Sequence, residues 1–448
     1  MSAVSRHYVL AAGGTGGHLI PAFALASELL RRGHQVALIT DARGAAIPGK
    51  PEALAAHQLP AGRFQGRNPL SWVKAARAIF QGRRMALSLF ASFRPAAVVG
   101  FGGYPAMPAL LAATGAAIPT VIHEQNAVLG RVNRFLAGRV NAIATSFAAV
   151  DRLAPSHTAK VHLVGNPVRA EVLALRGEGF PLLAADGPLQ LLVTGGSQGA
   201  RVLSEVVPEG LGLLPEALRG RLRVTQQCRP EDIEGVRKRY RAHGVAAELA
   251  TYFEDMAGQL ARAHLFIGRA GASTIAELTA VGRPAILVPL PIATDDHQAA
   301  NTREIVSAGG ARSIRQERFT APELARQIEA LAQPPEALAG AAHAAWNCGH
   351  PNAAADLAEL VESFGAAPMM DVIRVGAAAS AVTGKEALAR EPGIAQHERG
   401  LSASPHHHPQ PPPPKRGELR ERASPLPLLF RGGGRGVVFA PPLLDPSQ

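Results

Sequence analysis

Two glycine-rich loops of matching design lie 182 positions apart, at residues 13–18 (GGTGGH) and residues 195–200 (GGSQGA). Each loop follows a short apolar run and leads into a helical pattern, which is the arrangement of a phosphate-binding loop. Glycine lets the backbone come close to an anion, and the N–H groups at a helix N-terminus point toward it. The repeat predicts two similar α/β units that face one cleft.

The first loop also resembles the fingerprint of dinucleotide-dependent dehydrogenases, although Leu19 stands where that fingerprint has its third glycine. Asp41 follows the next apolar run and could serve as the ribose-binding acid of such an enzyme. A further alternative is a tight turn that binds nothing, because glycine-rich turns also permit close packing of a strand and a helix. Both alternatives remain open at this point.

Polar segments follow three other apolar runs, where open α/β sheets bind ligands. Residues 123–126 (HEQN) offer Glu124 and Asn126 to sugar hydroxyls. Residues 268–277 (GRAGASTIAE) begin a helix whose Thr274 and backbone N–H groups suit a diphosphate, and Glu277 one turn later suits ribose hydroxyls. A polar turn and a solvated helix carboxylate are the alternatives for these two segments.

The third polar segment, residues 295–298 (DDHQ), could be read as a metal cluster. Neighbouring residues seldom converge on one ion, and no partner motif with ligand spacing occurs elsewhere, so we expect this segment to bind a sugar instead. The two cysteines, Cys228 and Cys348, also lack metal-ligand spacing and indicate a reducing compartment. The glycines at 13–17 interrupt the N-terminal apolar stretch, so we expect no signal peptide.

Strand–helix alternation along the chain predicts parallel sheets with helices on both faces. We expect a first domain over residues 1–164, with its first helix at about 21–32, and a second domain over residues 165–350. A closing helix at 351–365 would complete the fold, followed by a disordered tail at 366–448 with histidine and proline runs. The uncharged run at 95–122 is interrupted by Pro105, Pro108 and Pro119 and predicts strand, loop, short helix and strand, not a membrane span.

Charge is distributed unevenly. Residues 1–165 carry 17 Lys and Arg against five Asp and Glu, a net charge of +12, whereas residues 166–365 carry −4. This asymmetry indicates an anionic partner, and without an RNA-binding aromatic signature or a zinc finger we favour a membrane surface over nucleic acid. Cations and apolar residues alternate over 63–87, which is typical of a helix lying on an anionic membrane, unless the apolar residues belong to the core. The surface residues of this hypothesis are Trp72, Lys74, Arg77, Ile79, Phe80, Arg83 and Arg84.

Taken together, these motifs with GFGGYP at 100–105, GNPVR at 165–169 and DDHQAAN at 295–301 resemble the MurG family of bacterial glycosyltransferases along residues 7–365. The resemblance implies an α/β protein of the GT-B class, in which two Rossmann-like domains with parallel sheets face a cleft. It also implies inverting transfer of N-acetylglucosamine from UDP-N-acetylglucosamine to the 4-hydroxyl of lipid I, an undecaprenyl-diphosphate-linked acceptor of peptidoglycan synthesis. No cofactor or bound metal would take part, and the protein would lie peripherally on the cytoplasmic face of the inner membrane.

The family's functional residues carry over to matching positions of this sequence. The implied UDP-N-acetylglucosamine contacts are Thr15, Gly16, Gly17, Asn126, Arg169, Ser197, Phe253, Ala272, Ser273, Thr274, Glu277, His297 and Gln298. The acceptor and its diphosphate would contact Gly14, Gly103 and Tyr104. His18 is the candidate general base, because imidazole exchanges protons near neutral pH, and Glu124 is the second candidate. A hydrogen bond to the acceptor is the alternative role for His18.

Two other functions fit a nucleotide-sugar site. A UDP-N-acetylglucosamine 2-epimerase needs neither a second sugar nor a lipid surface, and the cationic first half speaks against it. A non-catalytic nucleotide-sugar sensor needs the donor residues alone, and the presence of His18, residues 102–104 and the basic segment speaks against that function.

Overall fold

The computed structural model describes residues 5–62, 69–184, 186–196, 199–333 and 336–365. In these ranges the protein is α/β and contains two sheets whose strands are all parallel, as the strand–helix alternation predicts. Ser197 and the tail predicted to be disordered, residues 366–448, lie outside the described residues.

The first sheet has seven strands in the described part of the chain, in the order β3-β2-β1-β4-β5-β6-β7. The interior strands are buried apolar runs because helices cover a parallel sheet on both faces, whereas the edge strands β3 and β7 are mostly exposed. The strands are β1 (His7–Ala11), β2 (Gln35–Thr40), β3 (Ala55–Gln58), β4 (Ala97–Gly100), β5 (Thr120–Glu124), β6 (Ala142–Thr145) and β7 (Val161–Leu163).

Helices connect these strands and cover the sheet. They are α1 (Gly16–Arg31), α2 (Ala42–Ala45), α3 (Pro69–Phe93), α4 (Met107–Gly115) and α5 (Arg131–Leu136), with 3-10 helices at Tyr104–Ala106 and Pro155–Lys160. The uncharged run at 95–122 therefore folds as β4, loop, short helix and β5, as predicted.

The prediction that the first helix begins near Pro21 was wrong. Helix α1 begins at Gly16, directly after the glycine loop, and Pro21 lies inside it. Proline was expected at the helix start because it cannot donate the backbone hydrogen bond of a helix interior. Pro21 has no N–H group to donate to the carbonyl of Gly17, four residues earlier in α1. The early start brings the N-terminus of α1 directly to the end of β1.

The second sheet has six strands among the described residues, in the order β10-β9-β8-β11-β12-β13. They are β8 (Leu189–Thr194), β9 (Leu222–Gln227), β10 (Ala246–Ala250), β11 (Leu265–Gly268), β12 (Ala285–Leu287) and β13 (Ala311–Ser313). The strands before the two glycine loops, β1 and β8, lie inside their sheets. From each of them the strand order runs outward to one side first, through β2 or β9, and then continues on the other side with β4 or β11. This is the switch point at which open α/β sheets bind ligands.

The helices around the second sheet follow the same alternation. They are α6 (Ala170–Ala174), α7 (Arg201–Gly212), α8 (Glu216–Arg221), α9 (Ile233–Ala242), α10 (Met256–Arg262), α11 (Ala272–Val281), α12 (His297–Asn301), α13 (Arg303–Ser307), α14 (Ala321–Ala332) and α15 (Ala337–Asn347). Short 3-10 helices lie at Leu175–Glu178, Thr294–Asp296 and Gln316–Arg318.

The last described helix, α16 (Ala353–Gly365), returns to the first sheet and packs against α1. Leu357 and Val361 are fully buried in the same apolar cluster as Leu25. Glu362 pairs with Arg32 at 2.7 Å and with His34 at 2.8 Å. The chain therefore crosses between the sheets twice, once after β7 and once before α16.

Helix α3 corrects part of the predicted membrane surface. Its exposed side carries Trp72 and Phe80, which are 53% and 60% exposed. Ile79, predicted to belong to that surface, is buried with 9% exposure and so belongs to the core. Arg83 is half-buried, and its Nε donates to the Leu111 carbonyl at 3.5 Å. Helical periodicity explains the difference, because adjacent residues such as 79 and 80 point about 100° apart.

Across the described ranges, we find no helix with the length and apolar character that crossing a bilayer requires.

The packing of α16 predicts that Leu357→Ala will lower the free energy of unfolding by about 2–5 kcal/mol, because it leaves a cavity in the first core. Chemical denaturation of the full chain measures the loss. Glu359→Ala is the control, since Glu359 is exposed on the same helix. Equal stability of the two variants would show that α16 does not pack on this core.

Candidate active site

A cleft of about 540 Å³ lies between the C-terminal edges of the two sheets. The first-sheet wall comes from the loops after β1, β4 and β5, and the second-sheet wall comes from the loops after β11 and β12. The cleft brings together most of the predicted site residues: Thr15, Gly16, Gly17, His18, Gly103, Tyr104, Glu124, Asn126, Ala272, Ser273, Thr274 and His297.

The first glycine loop packs backbone against backbone on the loop after β4. The Gly13 N–H donates to the Gly102 carbonyl at 3.1 Å. A Cβ atom on Gly103 would lie 2.9 Å from the Gly13 Cα and 3.3 Å from the His18 Cδ2. Gly102 and Gly103 also have φ of +86° and +76°, in the region that favours glycine. These glycines therefore form the surface on which the His18 ring rests.

Two helix N-termini face the cleft, one from each sheet. Helix α1 begins after Thr15 and helix α11 begins after Gly271, both with extended backbone at the N-cap. The first N–H groups of a helix have no partner within the helix and attract anions. Ser273, in the first turn of α11, has a buried hydroxyl without a hydrogen-bond partner among the described residues. The cleft therefore offers an anion site on each wall.

Asn301 joins the two walls. Its Oδ1 accepts from the Ala127 N–H at 2.8 Å, and its Nδ2 donates to the Asn126 Oδ1 at 3.1 Å and to the Ala270 carbonyl at 3.2 Å. The side chain is fully buried, so all of its polar atoms need these partners. Two ion pairs also bridge the walls, Arg134 with Asp295 at 2.7 Å and Arg303 with Asp151 at 2.8 Å.

The Glu124 carboxylate is occupied by four hydrogen bonds. One oxygen accepts from the backbone N–H and the side-chain amide of Asn126 at 3.1 and 3.3 Å. The other accepts from the Gly130 N–H and the Asn133 amide, both at 2.8 Å. A carboxylate held in this way organises the loop after β5, and this arrangement favours His18 over Glu124 as the base.

Arg169 and Glu277 form an ion pair behind the second wall. The Arg169 Nε and a terminal guanidinium nitrogen lie 2.9 and 2.8 Å from the Glu277 Oε1. Burial raises the pKa of Glu277, and the guanidinium opposes that shift. Glu277 follows Ser273 by one turn of α11, on the same face of the helix.

Five predicted site residues in the described part of the chain do not line this cleft. Gly14 packs against the Asp41 carboxylate. Phe253 is buried in an apolar cluster with Ala272. Arg169 and Glu277 form the ion pair described above. The side-chain oxygen of Gln298 accepts from the Leu290 N–H at 3.0 Å. The role of Gly14 in acceptor binding and the roles of the other four residues in donor binding stay predictions.

Asp41 does not behave as a ribose-binding acid. Its carboxylate accepts from the Gly44 N–H at 3.0 Å, which caps α2, and it pairs with Arg43 at 3.0 Å. The dehydrogenase interpretation thus loses the acidic residue on which it depended.

The acidic segment after β12 is not arranged as a metal cluster. Asp295 pairs with Arg134, Asp296 pairs with Arg315 at 3.0 Å, and His297 contacts the Thr294 carbonyl at 2.8 Å. No group of three His, Cys, Asp or Glu side chains elsewhere in the described ranges could hold a metal ion either.

Sequence reasoning missed two contributors to the site. Gln125 hydrogen-bonds to His18, yet the HEQN motif suggested no role for it. Asn133 supports Glu124 from within α5, where the sequence contains no motif that points to it. The partner of Gln125 lies 107 positions away along the chain, whereas Asn133 follows Glu124 by nine positions.

Two parallel sheets whose C-terminal edges meet at one cleft place the protein in the GT-B class of glycosyltransferase folds. Family models agree: the glycosyltransferase family 28 N-terminal domain matches residues 8–145, and the family's C-terminal domain matches residues 190–361. The chain belongs to glycosyltransferase family 28.

Similar proteins carry a common name. A protein from Novosphingobium aromaticivorans is 72% identical over 87% of this chain and all of its own length. A protein from Erythrobacter litoralis is 69% identical over 88% of this chain and 97% of its own. Both are named UDP-N-acetylglucosamine--N-acetylmuramyl-(pentapeptide) pyrophosphoryl-undecaprenol N-acetylglucosamine transferase.

Solved structures share the architecture. The crystal structure of Acinetobacter baumannii MurG matches with a TM-score of 0.65 and 29% identity, over 80% of this chain and 99% of its own. A UDP-GlcNAc 2-epimerase from Neisseria meningitidis matches with a TM-score of 0.56 and 14% identity, over 80% of this chain and all of its own. At that identity the second match shows the fold alone.

The contact between Gly13 and Gly103 predicts that Gly103→Ala will lower stability and activity more than Gly33→Ala. Gly33 has a similar φ of +85° but open space around it, so its variant isolates the backbone strain of about 1–3 kcal/mol. Gly103→Ala adds a clash with Gly13 and His18, so we expect a larger loss of unfolding free energy and loss of catalysis. Equal losses in both variants, with activity retained, would contradict this account of the loop contact.

Proposed function

We propose that this protein transfers N-acetylglucosamine from UDP-N-acetylglucosamine to lipid I, which gives lipid II. The observation that carries the proposal is the meeting of two helix N-termini in one cleft, since donor and acceptor each contain a diphosphate. Relatives that are 72% and 69% identical are named for this reaction. The proposed donor domain spans residues 165–350, and the proposed acceptor domain spans residues 1–164.

The donor diphosphate would bind at the N-terminus of α11. Backbone N–H groups and the hydroxyls of Ser273 and Thr274 would receive its charge, and Glu277 would accept from the ribose hydroxyls. Negative charge grows on the diphosphate as the bond to the sugar breaks, so these donors stabilise the transition state more than the ground state. The sugar would then extend toward Asn126 on the opposite wall.

The acceptor would enter along the first wall, with its diphosphate near Gly103, Tyr104 and the start of α1. His18 would take the proton of the 4-hydroxyl while the oxygen attacks the sugar C1 opposite the departing UDP. Attack from the opposite face converts the α-linked donor into a β-linked product. In this proposal fixed backbone N–H groups, and not a bound metal, stabilise the negative charge of the departing diphosphate.

The test is incubation of the full chain with UDP-N-acetylglucosamine and a lipid I analogue, with mass spectrometry of the products. We expect a disaccharide-containing lipid. Formation of UDP-N-acetylmannosamine from the donor alone would instead establish the epimerase, and donor binding without any product would establish the sensor.

In the same assay, His18→Ala is predicted to lower kcat by about 10²–10⁴-fold, the usual contribution of a general base. Donor affinity should stay near that of the wild type, because the donor contacts lie mainly on the second wall. His162→Ala is the control, since His162 is exposed on β7. Turnover of His18→Ala within twofold of the control would move proton removal to another group.

Glu277→Ala is predicted to weaken UDP-N-acetylglucosamine binding about 10- to 150-fold, because a charge-assisted hydrogen bond contributes about 1.5–3 kcal/mol. Calorimetry measures the change. Glu171→Ala is the control, because Glu171 also lies near Arg169, at 3.5 Å, but is largely exposed. Unchanged affinity of the Glu277 variant would remove this residue from the nucleotide site.

We also propose that the exposed side of α3 lies on an anionic membrane. The large apolar side chains Trp72 and Phe80 share this side with the exposed cations Lys74, Arg77 and Arg84. Such a surface combines apolar insertion with attraction to anionic lipid headgroups. It would hold the enzyme peripherally where a polyprenyl-linked acceptor is found.

Replacement of Lys74, Arg77 and Arg84 by glutamine is predicted to weaken binding to phosphatidylglycerol-containing vesicles, because each cation contributes about 1 kcal/mol at such a surface. Vesicle co-sedimentation at low salt measures this. The control replaces Lys238, Arg241 and Arg262, which are exposed around the second sheet, and so changes the net charge equally. Equal binding by both triple variants would contradict the assignment to α3.

A further inference from the structure

A chain of hydrogen bonds runs from His18 through the first sheet to the segment that leaves it. The His18 Nδ1 lies 3.0 Å from the Gln125 Oε1. The Gln125 Nε2 lies 2.9 Å from the His123 Nδ1, and the His123 Nε2 lies 2.9 Å from the Gly165 carbonyl oxygen. The chain thus joins the wall of the cleft to the first crossover between the sheets.

Two backbone carbonyls determine where the protons of this chain lie, because a carbonyl oxygen only accepts. The Gly165 carbonyl requires a proton on the His123 Nε2. The His123 carbonyl lies 3.2 Å from the Gln125 Nε2, so this end of the amide must be the NH₂ group. The Gln125 oxygen must therefore point toward His18.

His123 remains neutral over the physiological range. It is fully buried, and burial lowers its pKa to about 4. With the proton on Nε2, the Nδ1 of a neutral ring carries a lone pair and accepts from Gln125. A charged ring would place an N–H group against the amide NH₂ and break the chain.

The far end of this chain of hydrogen bonds, at Gly165, is held in place by backbone contacts. The Gly165 N–H donates to the Thr145 carbonyl at 3.1 Å, and Gly165 has a φ of +84°. A side chain at Gly165 would collide with His350, so the crossover is tightly packed here. The Asn133 amide also donates to the His123 carbonyl at 3.3 Å, which fixes the second acceptor.

We propose that Gln125 and His123 are positioning residues that hold His18 as its Nδ1–H tautomer and so keep the Nε2 lone pair available for the reaction. This inference rests on the proposed function of His18 as the base. The Gln125 oxygen can only accept, so the His18 Nδ1 must donate to it. The His18 Nε2 has no hydrogen-bond partner among the described residues, and the side chain lines the cleft.

In the transfer, the proton released by the acceptor is taken up by one atom, the His18 Nε2. The O–H bond of the acceptor 4-hydroxyl breaks and its proton goes to the His18 Nε2, while the oxygen forms the bond to the sugar C1. The bond from C1 to the donor phosphate breaks, and its electron pair leaves with UDP. The charged His18 keeps its Nδ1–H bond to Gln125 throughout, so no rearrangement of the chain is needed.

The tautomer is measured by NMR of the full chain labelled with ¹⁵N-histidine, using His18→Ala to assign the His18 signals. The ¹⁵N shifts and their couplings to ring protons distinguish a protonated Nδ1 from a protonated Nε2. We expect neutral wild-type His18 to carry its proton on Nδ1. A proton on Nε2 in the wild type would overturn the proposal, whether or not the protein transfers sugar.

Three variants test the two positioning residues. Gln125→Met removes both bonds of the amide, and we expect a mixture of His18 tautomers. His123→Phe removes one of the two acceptors that orient the Gln125 amide and leaves the His123 carbonyl, so we expect a smaller share of the second tautomer. Gln125→Glu keeps an acceptor for His18 and should keep the Nδ1–H tautomer. A His18 signal that stays purely Nδ1–H in Gln125→Met, or in Gln125→Leu if Gln125→Met does not fold, would overturn the proposal.

Kinetics separate positioning from substrate binding. We expect kcat of Gln125→Met to fall by about 10- to 1,000-fold with little change in donor KM, because a misplaced proton disables the base without removing a donor contact. Gln125→Glu should recover part of this loss, and Gln333→Met, at an exposed glutamine, should match the wild type. A raised KM at unchanged kcat would overturn the positioning role. Near-native turnover of His18→Ala would instead refute the proposed base and leave the tautomer result standing.

Discussion

The contact between the glycine loops after β1 and β4 constrains the rest of the site. A Cβ atom on either Gly13 or Gly103 would lie 2.9 Å from the Cα of the other, so neither loop can carry a side chain at the contact. The same glycines give the His18 ring its support. A parallel sheet brings the ends of β1 and β4 to one edge, and the glycines convert that edge into a wall of the cleft.

The fold and the site carry different information about function. A parallel α/β architecture of two sheets is shared with a UDP-GlcNAc 2-epimerase, so the fold alone does not separate transfer from epimerisation. The separation comes from the site and from the relatives. Each wall delivers a helix N-terminus, and Asn301 holds the walls together by bonds to both. A cleft with two anion sites fits a reaction between two diphosphate-linked substrates.

Much of this arrangement could be predicted from local sequence. Apolar runs followed by glycine or polar motifs gave both sheets and most of the cleft lining, because parallel strands end at one edge. Features that depend on distant partners could not be predicted. Pro21 led to a wrong prediction of where α1 begins. Ile79 is buried in the core although Phe80 beside it is exposed. No local pattern indicates that Gln125 hydrogen-bonds to His18. Nor does a helical pattern after residue 351 reveal that α16 returns to the first core.

The central claim is that the donor binds on the second wall with its sugar directed at His18. A crystal structure of the protein with UDP-N-acetylglucosamine tests it most directly. The account predicts the diphosphate at the N-terminus of α11, the ribose beside Glu277, and the sugar C1 facing the His18 Nε2 across the cleft. A nucleotide bound instead at the first glycine loop, with Glu277 still paired only to Arg169, would contradict it.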